Sequence, residues 1–365
     1  MKRRQKNIII WGFFALMALS CFLPFLKTWF HTPMAEPKIN WCPPYTQVFS
    51  YAIYRRTSLR LVGPFSYLFD GRHTYVLNTT QYEANFPYLQ SYPCGVTIDR
   101  GGYCRRPVNQ LMLILAIRSQ PENFHRRAAL RKTWAQQQEI MGFLIKPLFL
   151  IAATTDFEHM ALVLEEAEKF NDILQWDFPE SPAYLSLKER CLLEWLFLYC
   201  STVDFIYKGD DTSFVNLRAL IEYLRESSDS QVTVHGNIQT ESSVLRHGRQ
   251  RIGFSLFPYH KYPFFPAAGA LIMPKRAITP LYEVSNWIPV FPLDDVYFGL
   301  LGLAANISYR HNDRFYVFGM KYDVWLYKEA LVVCRLSPEK LIDMWEALQQ
   351  NSTCVMRTDE IKQNF

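Results

Sequence analysis

The chain has 365 residues and a formal net charge of +5, and 49% of its residues are hydrophobic while 20% are charged. This composition excludes a disordered chain and a coiled coil. The positive charge is mild and evenly spread, so it does not favour nucleic acid as a partner. The aromatic content of 16% favours a large core and a cleft with aromatic walls.

The N-terminus predicts a membrane anchor. Four basic residues within positions 2–6 precede an uncharged apolar run over residues 8–26. As a helix this run would span about 28 Å, close to the hydrocarbon thickness of a bilayer. Positive charge ahead of the run predicts a cytoplasmic tail, 1–7, and a luminal C-terminal part. A cleaved signal peptide is the alternative, but the run is long for one and no small-x-small cleavage site follows it.

Two further features agree with a luminal chain. Glycosylation sequons begin at Asn78, Asn306 and Asn351. Seven of the eight cysteines lie outside the apolar run, so an oxidising lumen would leave at least one of them without an intramolecular partner. Cys94 and Cys104 flank a turn-rich segment, and they are the easiest local disulfide to form.

The predicted elements alternate between strands and helices. Residues 27–105 predict a stem followed by an irregular aromatic-rich region, and residues 106–356 predict the main domain. Short continuous apolar runs predict buried strands at 111–117, 148–152 and 205–207. Longer amphipathic or apolar segments predict helices at 126–138, 160–171, 185–199 and 218–226. This alternation predicts an α/β domain with a mostly parallel, Rossmann-like sheet.

Two acidic pairs are candidates for chemistry. Asp210 and Asp211 follow the third predicted strand, at the edge where open α/β sheets bind ligands. They predict a divalent metal or nucleotide site, with an ordinary acidic turn as the alternative. Asp294 and Asp295 open an apolar helix and predict a general base, with an acidic helix N-terminus as the alternative. Residues 262–270 place small residues after aromatics, which allows a ligand to approach the backbone closely.

Together, in this order and behind an anchor, the motifs resemble those of the Golgi β-1,3-glycosyltransferase family. This family contains β-1,3-galactosyltransferases and β-1,3-N-acetylglucosaminyltransferases, and the chain is most similar to the second branch. The resemblance covers roughly residues 105–350. It is carried by the basic helix 126–134, the Leu-Ser-Leu-Lys start at 185–188, the acidic segment 205–216, the segment 292–299 and the C-terminal segment 336–345.

The resemblance implies a GT-A-type nucleotide-sugar transferase domain that inverts configuration. The implied donor is a UDP-sugar, GlcNAc more than galactose, and the acceptor is a glycan hydroxyl on a glycoprotein or glycolipid. Asp295 is implied as the catalytic base, with Asp294 as the second candidate. Mn²⁺ or Mg²⁺ is the implied cofactor, held by Asp211 and Thr212.

The remaining implied residues contact the nucleotide sugar. They are Asp210, Asp211, Arg127, Arg131, Lys188 and Gly269. For the three basic side chains, a structural role on a helix face is an equal alternative. The implied location is the Golgi membrane, as a single-pass type II protein. Membrane and glycan are expected partners, a homodimer or heterodimer stays open, and nucleic acid is not expected.

Three positions depart from the family pattern. Thr212 stands where the family has a third acidic residue, and Cys334 stands where it usually has a histidine. Alanines at 267, 268 and 270 replace the usual glycines around Gly269. These departures keep a second hypothesis open, in which the chain is a degenerate member that acts as a luminal partner or chaperone of an active glycosyltransferase.

Overall fold

A computed structural model describes residues 64–99, 101–227 and 232–362. The predicted tail 1–7 and the predicted membrane anchor 8–26 lie outside these ranges. Among the helices within them, none combines the length and the apolar character that crossing a bilayer requires.

The described residues form fourteen strands and ten α-helices. The strands are β1 (Phe65–Phe69), β2 (Thr74–Asn78), β3 (Val96–Ile98), β4 (Leu111–Arg118), β5 (Gln138–Ile140), β6 (Phe143–Ala153), β7 (Ile173–Pro179), β8 (Phe205–Asp210), β9 (Phe214–Val215), β10 (Thr233–Gln239), β11 (Phe265–Pro274), β12 (Ser308–His311), β13 (Phe315–Tyr316) and β14 (Val332–Val333). The helices are α1 (Thr79–Asn85), α2 (Pro87–Ser91), α3 (Phe124–Lys132), α4 (Phe157–Phe170), α5 (Leu185–Tyr199), α6 (Leu217–Glu226), α7 (Ile278–Ser285), α8 (Asp294–Ala304), α9 (Val324–Glu329) and α10 (Pro338–Lys362).

All seven elements predicted from the sequence are present, the helix 185–199 with its predicted bounds and the other six with shifted ends. The largest shift is in α3, which was predicted to continue to residue 138 and ends at Lys132. The Thr133 hydroxyl donates back to the carbonyl of Ala129 at 2.9 Å. The chain then turns and buries Trp134, whose indole N–H donates to the carbonyl of Ser213 at 2.9 Å. A tertiary contact therefore ends the helix before its sequence pattern does.

A nine-stranded mixed sheet forms the centre of the fold. The strand order is β12-β10-β11-β8-β4-β6-β7-β3, with β5 paired to β6. The four central strands, β8, β4, β6 and β7, are parallel, whereas β11, β3 and β5 run antiparallel to their neighbours. The sheet predicted as mostly parallel is therefore mixed, with parallel pairs at its centre and between β10 and the edge strand β12, because an apolar run does not reveal its direction.

Hydrophobic layers cover both faces of this sheet. In β4, Met112 and Ile114 face a layer that includes α5, α7 and α8, while Leu113 and Leu115 face a layer that includes α3, α4, α6 and α10. Successive side chains of a strand point to opposite faces. A strand covered on both faces therefore reads as the continuous apolar run found in the sequence.

The N-terminal region is more ordered than its sequence predicted. Within the range 27–105, β1 pairs with β2 and β3 adds to the main sheet beside β7. Leu77 and Tyr82 are fully buried in the hydrophobic layer that contains α5. The described residues of this range, 64–99 and 101–105, therefore belong to the main domain and contribute to its core.

The predicted Cys94–Cys104 disulfide is wrong, although both cysteines are bridged. Cys94 bonds to Cys191 with a Cα–Cα distance of 5.3 Å, and Cys104 bonds to Cys200 with a distance of 5.1 Å. Cys191 and Cys200 lie about 13 Å apart along α5 and its C-cap, too far to bond to each other. Each of these two cysteines therefore bonds to one cysteine of the segment that contains Cys94 and Cys104. The two disulfides join that segment to α5 and its C-cap.

Candidate active site

The two predicted acidic pairs meet at one edge of the sheet. Strand β8 ends at Asp210, and its parallel neighbour β4 ends at Arg118, the register partner of Asp210. Helix α8 begins at Asp294. The Arg118 guanidinium contacts the carboxylates of both Asp210 and Asp294. One buried cation therefore joins the strand-end pair to the helix-start pair.

Arg118 is the centre of an ion-pair network. Its Nε lies 2.7 Å from Asp210 Oδ1, and its Nη1 lies 3.9 Å from Glu189 Oε1. Lys208 Nζ lies 2.6 Å from the other Glu189 oxygen. Burial of Arg118 opposes its charge, but Asp210, Asp294 and Glu189 together raise its pKa above the ordinary value. The guanidinium is therefore a permanent positive charge beneath the site.

The sequence analysis did not select Arg118 or Glu189. One signal was available, since Arg118 ends an otherwise apolar strand. In a parallel arrangement that charge must lie at the same sheet edge as Asp210. Glu189 and Lys208 lie on α5 and β8, and their pairing across these elements depends on tertiary packing.

Asp294 and Asp295 have opposite electrostatic environments. Burial and the adjacent Asp294 charge raise the pKa of Asp295 to about 6. Burial acts on Asp294 too, but the positive charges of Arg118 and Lys208 outweigh it and lower the pKa of Asp294. Asp294 is therefore a fixed counter-ion. Asp295, which is partly exposed, can take up a proton near neutral pH, as a general base must.

Asp211 is held by the loop that follows β4. Its Oδ2 accepts hydrogen bonds from Ser119 Oγ at 2.7 Å and from Asn123 Nδ2 at 2.9 Å, and the residue is only 8% exposed. Burial raises the pKa of Asp211, although both hydrogen bonds act to lower it. The carboxylate is thus fixed in position at the site edge, beside the Asp210 carboxylate that Arg118 holds.

These residues do not fit a metal site built by the protein alone. The Asp210 carboxylate is already paired with the Arg118 guanidinium. Thr212, next to Asp211, supplies a neutral hydroxyl. No group of three His, Cys, Asp or Glu side chains in the described ranges is arranged to hold a metal ion. Mg²⁺ and Mn²⁺ prefer several oxygen ligands, so Asp211 and Thr212 would need further oxygens from a bound ligand.

Arg127 and Lys188 lie beneath the site rather than in its cleft. Arg127 is fully buried, and its guanidinium donates to the carbonyl of Pro121 at 3.0 Å. Lys188 Nζ donates to the carbonyl of Ser119 at 2.8 Å and pairs with Glu180 at 2.7 Å. Both side chains thus hold the loop that presents Ser119 to Asp211, which agrees with the structural alternative.

Arg131 lies farther from the acidic edge. Its Nε and Nη2 donate to the two oxygens of Asp172, each at 2.9 Å. Its guanidinium also stacks on the ring of Phe170, 4.1 Å from the ring centre. Its contacts therefore join α3 to the end of α4 and the residue that precedes β7.

Gly269 and Cys334 pack against each other behind the acidic edge. A Cβ added at Gly269 would lie 3.0 Å from both Cys334 Sγ and Val317 Cβ. Cys334 Sγ lies 3.3 Å from Ser213 Oγ and donates to the carbonyl of Gly269 at 3.5 Å. Burial raises the pKa of Cys334 to about 12, so the group is a neutral thiol. Gly269 therefore leaves the room that Cys334 fills.

The sequons differ in accessibility. Asn306 is exposed between α8 and β12. Asn78 is half-buried and caps α1, where its Oδ1 accepts from the backbone N–H of Thr80 at 3.2 Å. Asn351 lies in the part of α10 whose side chains the structure does not describe.

The fold and site define an α/β protein with carboxylates gathered at the carboxyl edge of its central strands, the place where such sheets bind nucleotides. The family model described as Galactosyltransferase matches residues 125–313. This range contains β5 to β12, α8 and all four aspartates of the site, whereas β4, with Arg118 at its end, lies before it. The chain belongs to this glycosyltransferase family.

Several curated relatives are similar over most of their length. The N-acetyllactosaminide β-1,3-N-acetylglucosaminyltransferase 4 of Mus musculus is 31% identical over 241 residues, which cover 64% of this chain and 69% of the relative. The UDP-GlcNAc:βGal β-1,3-N-acetylglucosaminyltransferase 7 of Rattus norvegicus is 28% identical, with 74% and 70% covered. The N-acetyllactosaminide β-1,3-N-acetylglucosaminyltransferase 3 of Homo sapiens is 25% identical, with 98% of both chains covered.

Proposed function

We propose that the chain transfers N-acetylglucosamine from UDP-GlcNAc to a hydroxyl of an acceptor glycan and forms a β-1,3 linkage with inversion. Family membership and the activities named for the relatives support the donor and the linkage. The observation that carries the proposal is the position of Asp295, which is partly exposed at the start of α8, where Arg118 joins α8 to the Asp210 end of β8.

In the proposed reaction, the Asp295 carboxylate accepts the proton of the acceptor hydroxyl. The hydroxyl oxygen forms a bond to the anomeric carbon of GlcNAc from the face opposite UDP. The bond between that carbon and the diphosphate oxygen breaks, and UDP leaves with the electron pair. Arg118 keeps Asp294 ionised and in place, and the negative charge of Asp294 helps to raise the proton affinity of Asp295.

In this proposal, Mn²⁺ or Mg²⁺ would bind only together with the UDP diphosphate. Asp211 and Thr212 contribute one carboxylate and one hydroxyl, which are too few ligands for either ion. The diphosphate would have to supply the remaining oxygens.

We also propose that the chain is a single-pass type II protein of the Golgi membrane, with residues 8–26 as its anchor and its transferase domain in the lumen. The basic residues ahead of that run support this topology. Glycosidase treatment of the expressed protein should lower its apparent mass, and Asn306→Gln should remove one glycan. Digestion of the C-terminal domain by protease added to sealed Golgi vesicles would refute the topology.

The enzymatic proposal is tested with the full-length protein in detergent and a neutral lactosamine oligosaccharide. UDP-GlcNAc and UDP-galactose are offered separately, and the product linkage is determined by NMR. Transfer of GlcNAc in β-1,3 linkage that is lost in Asp295→Asn supports the proposal. Transfer of galactose alone, or full activity of Asp295→Asn, contradicts it.

The chaperone hypothesis is not favoured, because the relatives are named as transferases and both Asp294 and Asp295 are present. It makes a distinct prediction for the same preparation. The chain would transfer no sugar, and its co-expression would raise the amount of another active glycosyltransferase.

A further inference from the structure

A long segment rises from the active-site edge of the sheet. Residues 240–264, here called the arm, connect β10 to β11, and the strands on either side pair through Gln239 and Phe265. Strand β11 is antiparallel to β8, with Ala270 opposite Gly209. Therefore β10 ends and β11 begins at the edge where β8 ends, and the arm leaves the sheet beside the acidic site.

The base of the arm lies within electrostatic reach of the proposed catalytic base. The Tyr262 N–H donates to the carbonyl of Ser242 at 3.0 Å and closes the arm into a hairpin. Tyr262 is 6% exposed, and its hydroxyl has no hydrogen-bond partner among the described residues. Burial and the Asp295 charge raise the pKa of Tyr262 to about 12, whereas Arg246 lowers it. Tyr262, at the base of the arm, is therefore within range of the Asp295 charge.

The arm is held in one conformation by internal and external contacts. The Arg246 guanidinium donates to the carbonyls of Ile252 and Phe257, each at 2.9 Å. The Val76 N–H donates to the Tyr259 hydroxyl at 2.6 Å, which ties the arm to β2. A surface held in this way loses little conformational entropy when it binds a ligand.

The outer part of the arm is cationic. His247, Arg249 and Arg251 are exposed, and the described residues provide no ion-pair partner for the two arginines. The arm contains four Arg and Lys residues and a single acidic residue, Glu241. That glutamate is paired with Lys261 at the base of the arm. The positive charge at the outer end is therefore not compensated.

We infer that Arg249 and Arg251 select acceptor glycans that carry a sulfate ester or a carboxylate away from the reacting hydroxyl. The inference rests on the proposed transferase function. Four aspartates surround the site, and their charges disfavour an anionic acceptor. The cationic arm leaves the sheet at the same edge and offsets that repulsion, and guanidinium groups match the geometry of sulfate and carboxylate oxygens.

The test compares one neutral lactosamine oligosaccharide with the same oligosaccharide bearing a single sulfate or a single uronate carboxylate. At low salt, we expect KM for at least one charged acceptor to be about tenfold below that for the neutral acceptor, with kcat unchanged, because exposed charge pairs act chiefly on association. The double variant Arg249→Gln and Arg251→Gln should lose this difference, and so should added salt.

The control variant removes the same amount of charge elsewhere. Lys132→Gln and Lys275→Gln change two exposed lysines, one at the end of α3 and one after the end of β11 that lies opposite the site. This variant should keep the preference. A charged and a neutral acceptor with equal KM, or an arm variant that keeps the wild-type preference, would overturn the inference.

The inference can fail separately from the proposed function. Transfer to the neutral acceptor without a preference for the charged ones leaves the transferase intact and refutes the role of the arm. If no acceptor is used, calorimetry with the sulfated oligosaccharide still decides the role of the arm. Binding that the arm variant loses supports it, whereas equal binding by both proteins, or binding of anionic lipid vesicles alone, refutes it.

Discussion

The two adjacent aspartates of α8 should respond in opposite ways to the same substitution. Asp295→Asn replaces a carboxylate whose pKa is raised to about 6 from an ordinary 3.8. Its ionised form is disfavoured in the folded protein, so ionisation costs stability as pH rises from about 4 to about 6. At pH 7.5 Asp295 is ionised and the folded state carries the full free-energy cost of that charge. The neutral amide in the variant Asp295→Asn does not carry this cost.

A pKa difference of this size corresponds to about 3 kcal/mol, since one pKa unit is about 1.4 kcal/mol. Asp295 is partly exposed, and solvent screening reduces the value to about 1–2 kcal/mol. Asp295→Asn should therefore raise the melting temperature at pH 7.5 by about 2–8 °C. The gain should shrink at pH 4.5, where the folded wild-type protein already carries the proton. The same variant should lose about 10²–10⁴ in transfer rate.

Asp294→Asn is the matched control. Arg118 and Lys208 lower the pKa of Asp294, so its charge stabilises the folded state above the ordinary pKa of an aspartate. The variant leaves Arg118 with fewer partners and should lower the melting temperature at pH 7.5. Differential scanning calorimetry at the two pH values measures both effects. A stabilised Asp294→Asn, or an Asp295→Asn that is destabilised and fully active, would refute the assignment of roles.

Three further predictions use the same protein. The kcat/KM of the wild type should fall as pH decreases through about 6, because Asp295 must be ionised to accept a proton, and a flat profile from pH 5 to 8 would contradict this. In calorimetry, Mn²⁺ should bind well only when UDP is present, and Thr212→Asp should allow binding without UDP; no gain from Thr212→Asp would reject this account. Cys191→Ala removes the bridge to Cys94 and should reduce the free energy of unfolding by about 2–5 kcal/mol, and an unchanged melting temperature would show that the bridge contributes nothing.

The sequence was sufficient for the elements that carry strong local patterns. The runs at 111–117 and 205–207 form strands that are buried on both faces, as short continuous apolar runs predict. The position of Asp210 after such a strand, and of Asp294 and Asp295 at a helix start, followed from the same patterns. The motif resemblance pointed to the family that the comparison confirmed.

Sequence reasoning failed where two distant segments decide the outcome. It paired Cys94 with the nearest cysteine along the chain, whereas the fold brings Cys191 to it across 97 positions. It left a cleft role and a structural role equally open for Arg127 and Lys188, and the fold places both beneath the site, paired with backbone carbonyls and with the carboxylates of Glu166 and Glu180. The sequence alone does not distinguish a basic side chain that binds a ligand from one that binds a buried carbonyl.

The sequence by itself therefore determined the central strands and the acidic residues that gather at their carboxyl edge. Only the tertiary structure decided which aspartate is free to exchange a proton. Asp294 and Asp295 are adjacent in the chain and both are partly exposed. Arg118, 176 positions from Asp294, pairs with Asp294 and lowers its pKa, whereas burial and the Asp294 charge raise the pKa of Asp295. Electrostatic energy depends on distance in space and on burial, and neither quantity is a property of a local sequence pattern.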